Sequence, residues 1–264
     1  MRRRWFVFAD TRLLVTTVDE RTCAIPEGET PPLPDRPLHE PLSMGEDEGT
    51  EVMTYEIDMP GQLPPEMEMA DLRSTFGRLP HHLYTIAGKC REMNYWNANT
   101  QYCGVCGGKM RHHTAISKRC AACGRETWPQ PSVAVICLIE NGDRILLVRA
   151  HNFRSRFYGL VAGFVESGEN LEEALRREVM EETALRIRNI TYAGSQAWPF
   201  PFGLMVGYTA EYDGGELHPQ ESELADARWF DADHLPDIPD KASIARRLID
   251  RWLDKRKAAS HEDH

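Results

Sequence analysis

Gly163-Phe164-Val165-Glu166-Ser167-Gly168-Glu169-Asn170-Leu171-Glu172-Glu173-Ala174-Leu175-Arg176-Arg177-Glu178-Val179-Met180-Glu181-Glu182-Thr183-Ala184-Leu185 is the most informative stretch of the chain. Asn170 is a good N-cap, and Glu173 three residues later can close a capping box, so a helix is predicted to start near Leu171. At about 100° per residue, Leu171, Ala174, Leu175 and Val179 form its apolar stripe. Glu178 then falls about 20° to one side of Leu171, Glu182 about 20° to the other, and Glu181 flanks the same face at about 80°. Both Glu178 and Glu182 therefore sit on the face that should be buried. An unpaired carboxylate there is costly, and two together repel. Something positive must accompany them, either basic side chains or a hard cation. Oxygen-rich clusters of this kind suit Mg²⁺ or Mn²⁺. The plainer reading is a solvated face ion-paired to Arg176 and Arg177. On helical spacing both arginines point to the opposite side, which suits Glu172 and Glu173 better than Glu178 and Glu182.

Outward from this helix, Val133–Ile139 and Arg144–Val148 read as strands joined through Asn141-Gly142, a tight hairpin turn. Leu160–Val165 reads as strand or loop, and Ile187–Ser195, Leu204–Tyr212 and Ala227–Phe230 as further strands. Ser243–Lys255 is an amphipathic helix with Ile244, Leu248, Trp252 and Leu253 on one stripe. Upstream, Trp5–Ala9, Arg12–Thr17 and Glu51–Tyr55 are β-like. The acidic, proline-rich stretch Ile25–Glu48 is predicted to be loop, and Leu79–Tyr95 a helix with Pro80 in its first turn. The fold class is therefore α+β, an α/β/α sandwich with a mixed sheet. Three domains are expected, at residues 1–98, 99–127 and 128–264.

The central segment carries Cys103-x2-Cys106 and Cys120-x2-Cys123, with Gly107 and Gly124 just after each pair. Two such knuckles converge four thiolates on one tetrahedral Zn²⁺, a closed and hence structural site, one zinc per subunit. A redox pair would need a strand–helix context that is absent. His112 and His113 lie between the knuckles but are not needed as ligands. The net charge of −10 argues against broad, sequence-blind binding to DNA or RNA, which needs clustered Lys and Arg. The apolar runs are too short to span a bilayer. After Arg2-Arg3-Arg4, Asp10 and Arg12 cut short an apolar run that resembles a signal peptide, so a cytoplasmic protein without a membrane partner is expected.

The stretch quoted first resembles the box of the Nudix hydrolases, G-x5-E-x7-R-E-U-x-E-E-x-G-U with U aliphatic. Gly163, Glu169, Arg177, Glu178, Val179, Glu181, Glu182 and Leu185 match, and Ala184 stands where the pattern has Gly. Further on, Ser195-Gln196-Ala197-Trp198-Pro199-Phe200-Pro201 resembles the S-Q-P-W-P-F-P signature of the zinc-ribbon NADH pyrophosphatase subgroup, whose members also remove NAD caps from RNA. The resemblance implies a Nudix α/β/α sandwich preceded by a zinc ribbon and a small N-terminal α+β domain. It also implies a homodimer that splits NAD(H) into AMP and nicotinamide mononucleotide. It makes Glu178 and Glu182 ligands of Mg²⁺ or Mn²⁺, and Glu181 a ligand or the base. Arg177, with Glu169, orients the glutamates. The Ala162 carbonyl and Glu223 are implied as further ligands. Arg73, Trp128, Gln196, Ala197, Trp198, Pro199, Phe200, Pro201, Phe202, Gly203 and Ala245 are implied at the nucleotide site.

Three departures bear on substrate preference rather than on reaction type. Ala197 replaces the first proline of the signature, Phe202-Gly203 stand where Gln-Ser is common, and Trp128 replaces a Tyr. The competing readings are a Nudix hydrolase of ADP-ribose or another nucleoside diphosphate derivative, and a zinc-ribbon protein that only binds nucleotide or RNA. The intact acidic cluster disfavours the second, because recognition alone does not require three carboxylates around a metal.

Overall fold

The computed structural model describes residues 2–33, 37–151 and 157–262. The chain forms two units: Met1–Pro131 together with Trp198–Gly203, and Ser132–Ala197 together with Leu204–His264.

The first unit begins with strands β1 (Arg3–Ala9), β2 (Arg12–Thr17), β3 (Cys23–Ala24), β4 (Glu27–Gly28), β5 (Leu42–Asp47), β6 (Thr50–Glu56) and β7 (Met67–Asp71). They form one sheet in the order β3-β2-β1-β6-β5, with β4 added on β1 and β7 on β2. The β1–β6 pair is parallel and its neighbours are antiparallel, so the sheet is mixed. Burial on both faces explains why β1 is apolar from Trp5 to Ala9, after Arg3 and Arg4. Phe6 and Phe8 pack with Leu83, Ala87 and Cys90 of helix α1 (His81–Asn99), whereas Trp5, Val7 and Ala9 pack with Leu14, Tyr55 and Met69 on the other face.

Two expectations change here. The stretch Ile25–Glu48 contains two strands, because Glu48-Gly49 turns the chain and lets Leu42–Asp47 pair back on β6. A register shift between Ser43 and Glu46, with Gly45 at φ 96°, hides the alternation in sequence. Residues 34–36 of that stretch lie outside the described residues. Helix α1 starts later and ends later than predicted. Pro80, with ψ 139°, is its N-cap, and at the far end Lys118 Nζ donates to the carbonyls of Asn97 and Thr100.

Strands β8 (Met110–Thr114), β9 (Ser117–Cys120) and β10 (Glu126–Thr127) form a three-stranded ribbon. It brings the Sγ atoms of Cys103, Cys106, Cys120 and Cys123 within 4.8 Å of one another. Backbone N–H groups of Val105 and Cys123 donate to the Cys103 and Cys120 sulfurs at 3.4 and 3.5 Å. Such N–H groups hold Cys103 low and take Cys120 down to about 6, whereas at Cys106, against the Gly108 N–H, the neighbouring cysteine sulfurs push the value up to about 12, as expected of thiols crowded together. A Cβ on Gly108 would lie 3.0 Å from the Cys120 sulfur and 3.3 Å from that of Cys106. His112 is held by Asn97 and His113 by Arg119, so neither competes as a ligand. Four converging thiolates with N–H support fit a structural zinc.

The second unit is a sheet of β11 (Ser132–Asn141), β12 (Arg144–Ala150), β13 (Val161–Phe164), β14 (Arg186–Trp198), β15 (Gly203–Gly214) and β16 (Leu224–Asp231). Its order is β14-β15-β11-β12-β16, with β13 on β11. Helix α2 (Leu171–Thr183) follows β13, and α3 (Ile244–Glu262) closes the chain. On β11, Val135, Cys137 and Ile139 pack towards Ala174, Leu175 and Val179 of α2, while Ile136 and Leu138 pack towards Ile244, Leu248 and Trp252 of α3. The expected α/β/α sandwich results. Among the described residues no helix is long and apolar enough to cross a membrane.

Helix α2 starts as predicted, with both halves of the Asn170–Glu173 capping box formed. It stops at Ala184, which adopts φ 59° and ψ 18° and donates its N–H to the Met180 carbonyl. The left-handed conformation expected of the absent glycine is thus imposed on an alanine. Ala184→Gly is expected to stabilise the protein by about 0.5–1 kcal/mol, read as a raised urea midpoint. Chelation of zinc is expected to lower the melting temperature of the whole chain and release one zinc per subunit; an unchanged melt would remove the ribbon's structural role.

Candidate active site

The acidic face of α2 lies in the second unit. Ala174, Leu175 and Val179 are fully buried, and Glu182, on the same stripe, is only 6% exposed. Glu178 retains 13% of its side-chain surface. Gly163 explains how Glu178 fits. A Cβ at that glycine would lie 1.9–2.3 Å from the Glu178 carboxylate, so a residue with any side chain would displace it. Gly163 is held in place by pairing with Val135 on β11.

Arg177 does not turn away from this face, contrary to the expectation from helical spacing. Its long side chain folds back, and the guanidinium donates to Glu169 through Nε and Nη2, at 2.6 and 3.0 Å. It also donates to Glu178 at 2.9 Å, to Glu181 at 3.0 Å and to the Phe164 carbonyl at 2.9 Å. The planar fork explains why arginine and not lysine serves here. Arg176 does turn away, donating to the Ile187 carbonyl. The Arg177 contact, first among the causes, holds Glu169 below its ordinary value. Glu178 is raised by burial despite Arg177.

Glu182 receives no such help. Burial first, then the charges of Glu178, Glu223 and Glu181, push it up to about 8. Each cause raises the value and none lowers it. Its own main chain is fixed, because the Gln220 N–H donates to the Glu182 carbonyl at 2.8 Å and the His218 N–H to that of Thr183 at 3.0 Å. These bonds tie the end of α2 to the loop that leads into Glu223. The exposed Glu223 then lies just before β16, and its carbonyl accepts the His151 N–H. A buried carboxylate whose ionisable neighbours are carboxylates fits a hard divalent cation, which supplies the missing positive charge. Ala162 stands on β13 opposite Ile136. Among the described residues the ligand atoms that converge within 4.8 Å in groups of three or more are those of the four cysteines and of Asp47, Glu48 and His82, where Arg4 already pairs with Asp47; the glutamates of α2 stand further apart.

The aromatic loop belongs to the first unit. Trp198 and Phe200 meet edge-to-face with centroids 5.2 Å apart, and the Arg73 guanidinium lies 4.9 Å from the first ring centre and 4.2 Å from the second. Pro199 is buried and touches Gly88, where a Cβ would lie 3.4 Å from its ring. Phe202 stacks in a tilted manner on Tyr95, and the Gly203 N–H donates to Glu92 at 3.3 Å. Trp128 is 49% exposed, and Pro201 is exposed.

Other expected nucleotide-site residues lie in the second unit, and not all offer a free surface there. The Gln196 amide is committed to the start of α3, donating to the Ala242 carbonyl and accepting from the Ile244 N–H, both at 2.7 Å. Ala245 is 7% exposed within the α3 core. Ala197 is exposed. Sequence reasoning missed Glu92, Gly88 and the Gln220 and His218 N–H groups. Their partners are remote in the chain and carry no fixed spacing.

Comparison with known proteins agrees with this geometry. Residues 128–252 match the NUDIX domain, and residues 2–96 match the NADH pyrophosphatase-like rudimentary NUDIX domain. The NAD-capped RNA hydrolase NudC of Pseudomonas aeruginosa (strain LESB58) is 39% identical over 226 residues, covering 85% of this chain and 81% of that protein. The protein of the same name from Chromobacterium violaceum is 38% identical over 200 residues, covering 75% of this chain and 76% of its own length. Among solved structures, a NUDIX hydrolase from Nitrosomonas europaea shares the fold with a TM-score of 0.52 at 23% identity, over 60% of this chain and 93% of that one. The chain belongs to the Nudix hydrolase family, in the zinc-ribbon NADH pyrophosphatase subgroup whose Nudix domain follows a rudimentary Nudix domain.

Proposed function

We propose that this protein hydrolyses the pyrophosphate bond of NAD(H), giving AMP and nicotinamide mononucleotide, and removes NAD caps from RNA 5′ ends. The observation that carries the reading is Glu182, buried among carboxylates on a helix whose spacing is that of the Nudix box. The substrate class is supported by the similarity to the NAD-capped RNA hydrolases and to the NADH pyrophosphatase-like domain.

In this reading Glu178, Glu182, Glu223 and the Ala162 carbonyl hold Mg²⁺ or Mn²⁺, and Glu181 is a further ligand or the base. When bound, the cation neutralises the diphosphate and makes water a better nucleophile at phosphorus. Arg177 is a positioning residue. Its contacts to Glu169, Glu178, Glu181 and the Phe164 carbonyl fix the carboxylates before substrate arrives. Trp198 and Phe200, with Arg73 against them, offer ring faces and a cation to a base and its phosphate, and Trp128 adds an exposed ring. Pro199, Pro201, Phe202 and Gly203 shape that loop, while in the second unit Gln196 and Ala245 support the start of α3 and Ala197 stands exposed beside them. Residues 1–98, 99–127 and 128–264 act as N-terminal domain, zinc ribbon and Nudix domain. The working form is a cytoplasmic homodimer.

Given Mg²⁺ or Mn²⁺ with NADH, NAD⁺, ADP-ribose and NAD-capped RNA in parallel, the protein is expected to release AMP from NADH and to uncap the RNA. Turnover of ADP-ribose alone would move the substrate to the rival reading, and turnover of none would end the enzyme assignment. Glu182→Gln is expected to lower kcat by at least about 100-fold. The same substitution has a second signature in metal-free protein. Glu182 starts from 4.5 and is raised by the fold to about 8. Folding therefore favours its protonated form: the fold is least penalised below the unfolded value and loses stability as pH rises towards 8. In EDTA, Glu182→Gln should stabilise the protein by roughly 4 kcal/mol at pH 8 and by under about 1 kcal/mol at pH 5. Urea melts in which wild type and variant run parallel with pH would contradict the burial of this charge.

A further inference from the structure

The zinc ribbon carries a surface that the hydrolysis itself does not use. The whole chain has a formal charge of −10, yet residues 99–127 contain Lys109, Arg111, Lys118, Arg119 and Arg125 against the single acid Glu126. The structure sorts these five. Lys118 is buried, with its ammonium on the carbonyls that end α1. The other four are exposed.

Strand alternation then places three of the four on one face. Met110 and Cys120 are directly opposite each other and both point into the ribbon core. Their neighbours Arg111 and Arg119 are likewise opposite each other, and must point outward. Lys109, one strand period from Arg111, shares that face, and its bridge partner is Tyr102, which is 70% exposed. Glu126 lies opposite Arg119 and is occupied by it at 3.2 Å and by the Ser117 hydroxyl at 2.7 Å. Among the described residues Lys109 and Arg111 have no ion-pair partner. Glu126 offsets Arg119 but not Arg111 across from it, so Lys109 and Arg111 are the cations of this row left for an external anion.

We propose that the Tyr102–Lys109–Arg111–Arg119 face of the zinc ribbon binds the single-stranded RNA that follows an NAD cap. Successive phosphates suit a row of cations, and an exposed ring offers a stacking face without reading sequence. The ribbon is thus net cationic on a chain whose formal charge is −10, although it is not the chain's sole basic stretch, since α3 also carries Arg246, Arg247, Arg251, Lys255 and Arg256. This inference rests on the capped-RNA reading above for its role in turnover, but the binding surface can be tested apart from it.

The test uses the full-length zinc-loaded protein and an uncapped single-stranded RNA of about 20 nucleotides, a length exceeding the footprint of such sites. Wild type and Lys109→Ala/Arg111→Ala are titrated by fluorescence anisotropy at several salt concentrations. The variant is expected to bind at least tenfold more weakly, with a salt slope smaller by about 1.4, two phosphate contacts at about 0.7 each. Arg111→Lys should keep most of the affinity, and zinc content and melting temperature should match wild type. NADH hydrolysis should be unchanged, while kcat/KM on NAD-capped RNA falls by about the binding factor. Equal affinity and slope in wild type and variant would overturn the proposal, as would a wild type that binds no RNA. Wild type that binds RNA through this face yet uncaps none would leave the surface standing and refute the capped-RNA activity instead.

Discussion

Arg177 is the interaction from which the candidate site is built. One guanidinium holds Glu169 in a two-point grip and reaches Glu178, Glu181 and a β13 carbonyl with its remaining donors. It thereby couples the strand before α2 to the helix itself. The consequence is an uneven distribution of charge. Three acids share one arginine, and among the described residues the fourth, Glu182, faces like charges from deeper in the core. Preorganisation for a cation is produced by letting Arg177 stop short of Glu182.

Backbone requirements support the same arrangement from below. Gly163 gives up a side chain so that Glu178 can lie against β13, and the β11–β13 register fixes where that gap occurs. At the other end, two N–H groups from the loop after β15 bond the last carbonyls of α2 and set the approach to Glu223. The helix is therefore anchored at the cap, along its buried stripe and at its terminus, and the carboxylates inherit that rigidity.

Much of this was legible in sequence where spacing determines geometry. The capping box, the stripe and the intrusion of Glu178 and Glu182 follow from the helical period, and the four cysteines from their paired knuckles. Helical spacing alone misplaced Arg177, because a Cα direction does not say where a flexible side chain ends, whereas the box resemblance put it with the glutamates. Strand β5 was missed because a bulge at Gly45 breaks its alternation. The rudimentary Nudix character of residues 2–96 was also invisible, since α1 keeps Arg91-Glu92-Met93 but has Tyr95-Trp96 where α2 has its glutamate pair. Contacts such as Gly203 to Glu92 join positions 111 residues apart and leave no local trace.

The assignment of Trp198–Gly203 to the first unit, while the strands on either side belong mainly to the second, has a bearing on modularity. The polypeptide passes from one unit to the other and back within a single hairpin connection. Neither unit is thus a contiguous cassette. Pro199, buried against Gly88, and Phe202, stacked on Tyr95, are core of a body whose other residues were synthesised about a hundred positions earlier. Recombination that exchanged the C-terminal half for that of a different Nudix protein would carry away part of the N-terminal half's interior. The two units are bound to diverge together, as halves of one evolutionary object.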